Sequence, residues 1–498
     1  MIKVPSGMPD RTVGIGWAAL FIAALVTTIQ GILLAYSYWY DELFSVVHMS
    51  ASLDNLWRFR SDDVHPPAYP LLLFSWMKLW GTSEIATRSL SATLALLAAL
   101  TPLLLTRRFG IGFAFAASAL IVTSPYALFY AQETRDYALL LFAATLSVCA
   151  FLDNRRRLFF VSAVVTGLIH YFGAALAVIL LFLYWLRHPK SLKGTLRISG
   201  MVGLLFLWPA YQVLRGIAGS ALGGNFWITT TPGESVVLAA KVLAPQIFWI
   251  AGNGGIVGGL ALGLALVGSI AILLRRLGKG DRLAGWTIGD DGGFAYIAAA
   301  GVLVILAVAV ISLHSPIALE RNYIILVPIQ SLLIGSLFAG PPNTRFGSIS
   351  LILLVAYCAL GLAVGNLRLQ EKYKPMEDWR WLADQSTKLA RTNRLPIHFY
   401  INYPHEENRF LDFYLPAGTA TKPVNLNQLE LLPDRAVLVF AGLPVDPDNP
   451  NVVTTRLAEL HRSFTVVRPP NKVCRMGIIV IPATDLDSPI TASSREPC

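Results

Sequence analysis

Two adjacent carboxylates, Asp41 and Glu42, directly follow the first long apolar segment of the chain. A carboxylate can take a proton from an acceptor hydroxyl, which is the role of a general base in a group-transfer reaction. Acids at the end of an apolar helix stand at a membrane surface, where they are costly to bury and where a substrate carried on a lipid can reach them. The pair could also be no more than solvated charges at a helix end. The rest of the chain is needed to decide between these two interpretations.

Other polar side chains that could take part in catalysis or binding lie in short segments between apolar runs. They are Asp63, His65, Arg135, Asp136, His170 and Arg321. The guanidinium of Arg321 is a natural partner for a phosphate. Simpler interpretations stay open, because Asp136 can cap a helix with Arg135 as its partner and His170 can be a satisfied buried histidine. Together, these residues on one face of an apolar body are more typical of a binding site than of scattered surface charge.

The composition places these residues in a membrane protein. Hydrophobic residues make up 55% of the 498 residues and charged residues only 14%, which excludes an ordinary soluble protein. The net charge of +10 does not indicate nucleic-acid binding, because the Lys and Arg residues occur in short clusters between apolar runs. Such clusters mark cytoplasmic loops. The chain is therefore predicted to be a polytopic α-helical membrane protein.

The positions of the basic clusters predict the topology. With a cytoplasmic N-terminus and a retained first helix at about 13–36, the cluster at 155–157 is cytoplasmic, and Asp41, the segment 132–137 and the apex 170–173 lie outside. Residues 111–130 and residues 256–274 are each predicted to form one span, and residues 158–186 a pair that goes out and returns. About 11–13 transmembrane helices are expected, and the number stays open because the run at 66–80 is short.

The C-terminal part has a different character. Alternating polar and apolar stretches from about residue 370 predict a helix at 377–390 and strands at 397–401, 436–440, 464–467 and 476–481. We expect a transmembrane domain at 1–368 with a catalytic first external loop at about 37–65, an extracytoplasmic α/β domain at 369–484 and a disordered tail at 485–498. A disulfide between Cys474 and Cys498 is left open.

The order of short motifs along the chain resembles the GT-C superfamily of membrane glycosyltransferases, in the bacterial branch related to protein O-mannosyltransferases and lipid A aminoarabinose transferases. The similarity extends from about Trp17 to Trp379 and depends on the combination of motifs. The motifs are Trp39-Tyr40-Asp41-Glu42, His65-Pro66-Pro67, Arg88-Ser89-Leu90-Ser91, Arg135-Asp136-Tyr137, His170-Tyr171-Phe172 and Arg321-Asn322-Tyr323.

This resemblance implies a sugar donor carried on a polyprenyl phosphate and used at the outer face of the bacterial cytoplasmic membrane. It implies that Asp41 is the essential acid, that Glu42 belongs to the same motif and that Arg321 binds the donor phosphate. The remaining motif residues are expected to contact substrate, and they are Asp63, His65, Arg135, Asp136, Tyr137, His170, Tyr171 and Tyr323. The chain departs from the expected pattern at Asn322, which separates Arg321 from the aromatic residue.

The expected reaction needs a base for the acceptor proton and a cation for the leaving phosphate. Asp41 would be the base and Arg321 the clamp, in a single inverting displacement onto a lipid, glycan or protein acceptor. A divalent metal is left open, because no spacing of ligands specifies one. A transporter or flippase of lipid-linked sugars is the alternative, although it should show repeats and broken helices at the midplane rather than acids at one face.

Overall fold

The computed structural model describes residues 11–34, 36–50, 65–188, 191–214, 228–254, 293–336, 345–372, 378–400, 407–440, 452–467 and 477–481. The chain divides into two compact units. The helical unit comprises Met1–Leu34 and Ser52–Leu369, and the sheet unit comprises Ala35–Ala51 and Gln370–Cys498. Asp63, the predicted span at 256–274, Cys474, Cys498 and the tail at 485–498 lie outside the described residues.

Helices account for nearly all of the described helical unit. They are α1 (Arg11–Leu33), α3 (Ala68–Trp80), α4 (Glu84–Leu100), α5 (Thr106–Phe109), α6 (Ile111–Val122), α7 (Pro125–Tyr130), α8 (Tyr137–Leu152), α9 (Arg156–Gly167), α10 (Tyr171–Arg187), α11 (Leu192–Leu214), α12 (Pro232–Leu243), α13 (Pro245–Gly254), α14 (Gly293–Ile311), α15 (Leu326–Gly335) and α16 (Arg345–Lys372). Short 3-10 turns at Thr101–Leu105 and Glu320–Ile325 join α4 to α5 and precede α15.

Three described segments are long and apolar enough to cross a membrane, and these are Glu84–Phe109, Gly293–Ile311 and Leu351–Gln370. Shorter apolar helices occur at Ala18–Leu33, Ile111–Val122, Tyr137–Leu152 and Tyr171–Arg187. The predicted class, a polytopic helical protein, is confirmed. The number of 11–13 spans stays a prediction, because residues 255–292 are not described.

Helix α8 lies at the centre of the helical unit. Its residues are buried around the whole circumference, with Leu140, Ala144 and Val148 fully inaccessible. A helix that is apolar on every side is one that other helices surround. Because α8 begins at Tyr137, this core fixes the position of the Arg135-Asp136-Tyr137 motif that precedes it.

The predicted span at 111–130 is not one continuous helix. Helix α6 ends at Val122, Ser124 is extended with a ψ angle of 128°, and a separate helix α7 starts at Pro125. Proline lacks the N–H that would continue the hydrogen-bond ladder, and it moves the preceding residue out of the helical region. Helices α12 and α13 lie in a segment where the sequence predicts no span.

The predicted out-and-back pair at 158–186 is present as α9 and α10. The turn consists of residues 168–170, and His170 lies immediately before α10. Gly173 allows the two helices to approach closely, since a Cβ atom there would lie 2.2 Å from the carbonyl oxygen of Thr166 and 2.8 Å from Leu140 Cδ1. The hairpin therefore holds His170 at a defined position beside α8.

The sheet unit has an α/β structure. Its elements are α2 (Tyr40–Ser50), α17 (Trp379–Asn393), β1 (Ile397–Tyr400), α18 (Glu407–Tyr414), β2 (Thr421–Val424), a 3-10 turn (Leu426–Leu431), β3 (Ala436–Phe440), α19 (Val452–Glu459), β4 (Thr465–Val467) and β5 (Gly477–Ile481). The strand order is β2-β1-β3-β5-β4, with β1 parallel to β2 and β3, and with β5 antiparallel to β3 and β4. The four predicted strands are present, and β2, α18 and α19 were not predicted.

Helix α2 contains Asp41 and Glu42 and packs against α18 within the sheet unit. The Tyr40 ring meets the Phe410 ring edge-on at 5.2 Å between centroids. The backbone N–H of Tyr38 donates to the Tyr414 hydroxyl at 3.0 Å. Phe410 also contacts the buried Trp379 ring at 5.7 Å. The segment around α2 therefore shares a core with the C-terminal α/β elements, a grouping that the sequence did not indicate.

Candidate active site

The two acids of the first loop have different environments in the sheet unit. Both lie in the first turn of α2, where the helix dipole favours a negative charge. The Glu42 side chain is 0% exposed, and its Oε2 lies 3.5 Å from the backbone nitrogen of Trp39. Asp41 is partly exposed. Of the pair, Asp41 is therefore the carboxylate that is accessible to solvent.

In the helical unit, His170 is the centre of a cluster of predicted site residues. Its ring lies 5.7 Å from the His65 ring and 6.1 Å from the Tyr137 ring, measured between centroids. It also interacts electrostatically with Asp136, Arg135 and Arg321. Six candidate residues from four separate stretches of sequence are thus brought together within the helical unit.

The hydrogen bonding of His170 defines its chemistry. Its Nδ1 atom accepts the backbone N–H of Phe172 at 3.1 Å, so a neutral ring carries its proton on Nε2. Burial lowers the pKa of His170 from 6.5 to about 4, although the Asp136 charge acts in the opposite direction and the charges of His65, Arg135 and Arg321 add to the lowering. His170 is therefore a neutral hydrogen-bond donor near pH 7.

Asp136 does not cap α8, although it occupies the N-cap position. The side chain makes no cap hydrogen bond, it is 6% exposed, and its Oδ1 atom has no hydrogen-bond partner among the described residues. A buried carboxylate oxygen without a partner is costly, and such groups occur where a site requires them. The capping interpretation is therefore excluded, and Oδ1 of Asp136 is a buried acceptor without a hydrogen-bond partner among the described residues.

The loop before Asp136 is anchored to α4 by two buried hydrogen bonds. The Ser91 hydroxyl donates to the backbone carbonyl of Glu133, and the hydroxyls of Thr87 and Thr134 lie 2.7 Å apart. Both α4 residues have no exposed surface. The motif around Ser91 therefore has a structural role, which is to hold the backbone that presents Arg135 and Asp136.

Arg321 lies in the 3-10 turn Glu320–Ile325, with its guanidinium 5.9 Å from the centroid of the Tyr137 ring. Asn322, the residue at which the chain departs from the expected motif, has a structural role. Its Nδ2 atom donates to the carbonyl of Ile317 at 3.3 Å, and its backbone N–H donates to Leu319 at 3.0 Å. Asn322 therefore closes the turn that presents Arg321.

Tyr323 has a different environment from the other candidates. It has no exposed surface, its hydroxyl lies 2.5 Å from Ser235 Oγ on α12, and its ring meets the Phe172 ring edge-on at 5.2 Å. These contacts connect the turn that carries Arg321 to α12 and to the start of α10, where His170 lies. Tyr171 begins α10 and is half-buried.

Sequence reasoning missed an ion pair next to the cluster. The Arg368 guanidinium, near the end of α16, lies 2.8 Å from Glu320 Oε1, and the Tyr126 hydroxyl donates to the same oxygen. The ion pair joins two residues that are 48 positions apart in the sequence. No local sequence pattern predicts a contact over that separation.

No metal site is evident in the part of the chain that the structure describes, where no group of three His, Cys, Asp or Glu side chains is close enough to hold an ion. His170 does not fit such a role in its present hydrogen bonding, because a ring whose Nδ1 accepts an N–H has its proton on Nε2.

Comparison with known proteins identifies the fold. No family model matches the chain, and no curated protein matches it. Two solved structures of ArnT from Cupriavidus metallidurans are similar to it. The structure in the apo state has a TM-score of 0.57 at 14% identity and covers 94% of this chain and 98% of its own. The structure bound to undecaprenyl phosphate has a TM-score of 0.56 at 14% identity, with coverages of 93% and 98%. The chain therefore shares the fold of ArnT over nearly its full length.

Proposed function

We propose that the protein is a membrane glycosyltransferase that moves a sugar from a polyprenyl-phosphate donor to a lipid, glycan or protein acceptor. The observation that carries this proposal is the cluster around His170, where two guanidiniums, a neutral imidazole donor and a carboxylate meet. It lies in a fold shared over nearly the full length with a protein solved bound to undecaprenyl phosphate. Arg321 and Arg135 supply the positive charge that a phosphate group needs.

The proposed reaction is a single displacement. The acceptor oxygen forms a bond to the anomeric carbon, the bond from that carbon to the phosphate oxygen breaks, and the acceptor proton passes to the Asp41 carboxylate. Arg321 stabilises the charge that grows on the departing phosphate, and Arg135 and the His170 Nε2–H add donors. The phosphate is already a good leaving group, so no acid is needed to protonate it, and the anomeric configuration inverts.

Asp136, His65, Tyr137 and Tyr171 are proposed as substrate-contacting residues around this centre. The unpartnered Oδ1 atom of Asp136 is an acceptor suited to a sugar hydroxyl. We place the site at the outer face of a bacterial cytoplasmic membrane, because the basic clusters predict that face for His170 and Arg321. Glu42 is proposed to support Asp41, since Glu42 is itself fully buried.

The test is chemical consumption of donor by the purified full chain in detergent. A panel of polyprenyl-phosphate sugars is incubated with protein and a membrane lipid extract as the acceptor source, and release of polyprenyl phosphate is followed by chromatography. The proposal predicts release that requires protein. The alternative, a transporter or flippase, predicts that the donor stays chemically intact in detergent and changes leaflet in reconstituted vesicles.

A further inference from the structure

The carboxylate of Glu320, the residue before Arg321, is held by side chains from two other helices. Tyr126 on α7 donates its hydroxyl to Glu320 Oε1, and Arg368 on α16 donates to the same atom at 2.8 Å. The Arg368 guanidinium also lies 4.8 Å from the centroid of the Tyr126 ring and 6.0 Å from that of the Phe129 ring. The turn that presents Arg321 is therefore fixed through its neighbour.

This arrangement affects Arg321 in two ways. A 3-10 turn has about three residues per turn, so successive side chains point in different directions and fixing Glu320 also directs Arg321. The second effect is electrostatic. A carboxylate adjacent in sequence to a phosphate-binding guanidinium competes with the phosphate for it, unless another cation neutralises that carboxylate.

Arg321 and Arg368 belong to the same electrostatic environment. Both guanidiniums interact with the hydroxyl of Tyr130, whose ring lies 4.7 Å from the Tyr137 ring that Arg321 covers. The Glu320–Arg368 pair is only part-buried, with side-chain exposures of 28% and 31%, so it contributes little to stability. A change in this pair should therefore affect Arg321 more than folding.

We propose that Arg368 is a positioning residue that neutralises Glu320 and so prevents this carboxylate from competing with the donor phosphate for Arg321. The inference rests on the proposed function for the identity of the phosphate ligand. It assigns no chemical step to Arg368, which acts only through Glu320 and Arg321.

Binding of polyprenyl phosphate to the purified full chain in detergent provides a test that does not need turnover. Arg368→Met should weaken binding about tenfold, the scale of a coupling between neighbouring charges. Adding Glu320→Gln to this variant removes the competing charge and should restore binding to within about threefold of the unmodified protein. Arg368→Lys keeps the charge and should retain most of the affinity. Arg157→Ala, an exposed arginine at the start of α9, is the matched control.

A second measurement asks whether Arg368 acts through Arg321. In an Arg321→Ala background, Arg368→Met should cause no further loss, because the guanidinium that Glu320 would attract is gone. Additive losses would overturn the proposal, as would a double variant Glu320→Gln/Arg368→Met that binds as weakly as Arg368→Met alone. If Arg368→Met does not fold, Arg368→Gln replaces it in the same set. A protein that binds polyprenyl phosphate with this pattern but consumes no donor would overturn the proposed function and leave this inference standing.

Discussion

The backbone N–H of Phe172 donates to Nδ1 of His170 at 3.1 Å, at the start of α10. The bond fixes which nitrogen of the neutral imidazole carries the proton, and burial keeps the ring neutral. A neutral Nε2–H can donate to a phosphate oxygen without needing a proton from solvent. The apex of the α9–α10 hairpin therefore provides a donor whose state is constant above pH 6.5.

This environment predicts that acid destabilises the protein through His170. The folded-state pKa, about 4, is below the ordinary value of 6.5, so the unfolded state binds more protons between these values. The contribution is fully present above pH 6.5 and is lost as pH falls towards 4, by roughly 3 kcal/mol. Melting temperatures in detergent should fall less with acid in His170→Gln than in the unmodified protein. His314→Gln, an exposed histidine, should leave the acid dependence unchanged.

Gly173 should be intolerant of a side chain. An alanine Cβ at this position would lie 2.2 Å from the Thr166 carbonyl oxygen, a backbone atom that cannot move away without opening the hairpin. Gly173→Ala should cost about 2 kcal/mol or more and displace His170. Gly203→Ala on α11 is the matched control, because nothing lies within 4 Å of its Cβ position. Equal melting temperatures for the two variants would contradict the close approach.

Arg321 should contribute more to turnover than to the affinity for the intact donor, whose phosphate lacks the charge that develops as it leaves. If it stabilises charge growing on the leaving phosphate, Arg321→Ala lowers kcat at least about 100-fold, because contacts that strengthen in the transition state accelerate the step. Arg321→Lys keeps the charge but not the two parallel hydrogen bonds, so it should retain part of the activity. Steady-state kinetics with saturating donor measure both variants. Full activity in Arg321→Ala would remove Arg321 from the site.

The topology can be tested with single cysteines at exposed positions. A cysteine at His314 or Asn427 should react with an impermeant thiol reagent from outside intact cells, and one at Arg157 should not. Gln132 is unsuitable as a reporter, since its side chain is fully buried. The background should replace the four native cysteines, of which Cys149 and Cys358 are buried. Labelling at Arg157 with protection at His314 would reverse the orientation.

The sequence predicted the parts of the molecule that local chemistry determines. The apolar runs, the strand at Ala436–Phe440 and the helix starting at Tyr137 follow directly from periodicity and length. Pro125 indicates a helix break, but the apolar sequence continues through it, and a single span was therefore predicted. The distinction between a partly exposed Asp41 and a buried Glu42, by contrast, depends on tertiary packing, which no local pattern contains.

The individual residues of the candidate site were predicted from the sequence, but their tertiary contacts were not. Polar residues interrupting apolar runs marked His170, Arg135 and Arg321 individually, and the structure brings them together around one imidazole. The pairing of Arg368 with Glu320 could not be predicted from the sequence, because tertiary packing brings the end of α16 to the 3-10 turn that contains Glu320. The role of Asn322 was also hidden, since its hydrogen bond to Ile317 exists only in the folded turn.

The most direct measurement compares donor turnover by purified Asp41→Asn and Glu42→Gln proteins with the unmodified chain. Asp41 is the accessible carboxylate of the pair, and its replacement by Asn keeps the shape while removing the base. We expect Asp41→Asn to release no polyprenyl phosphate above background while keeping its melting temperature and its affinity for polyprenyl phosphate. We expect Glu42→Gln to retain measurable turnover. Unmodified turnover in a folded Asp41→Asn protein would contradict the assignment of Asp41 as the base.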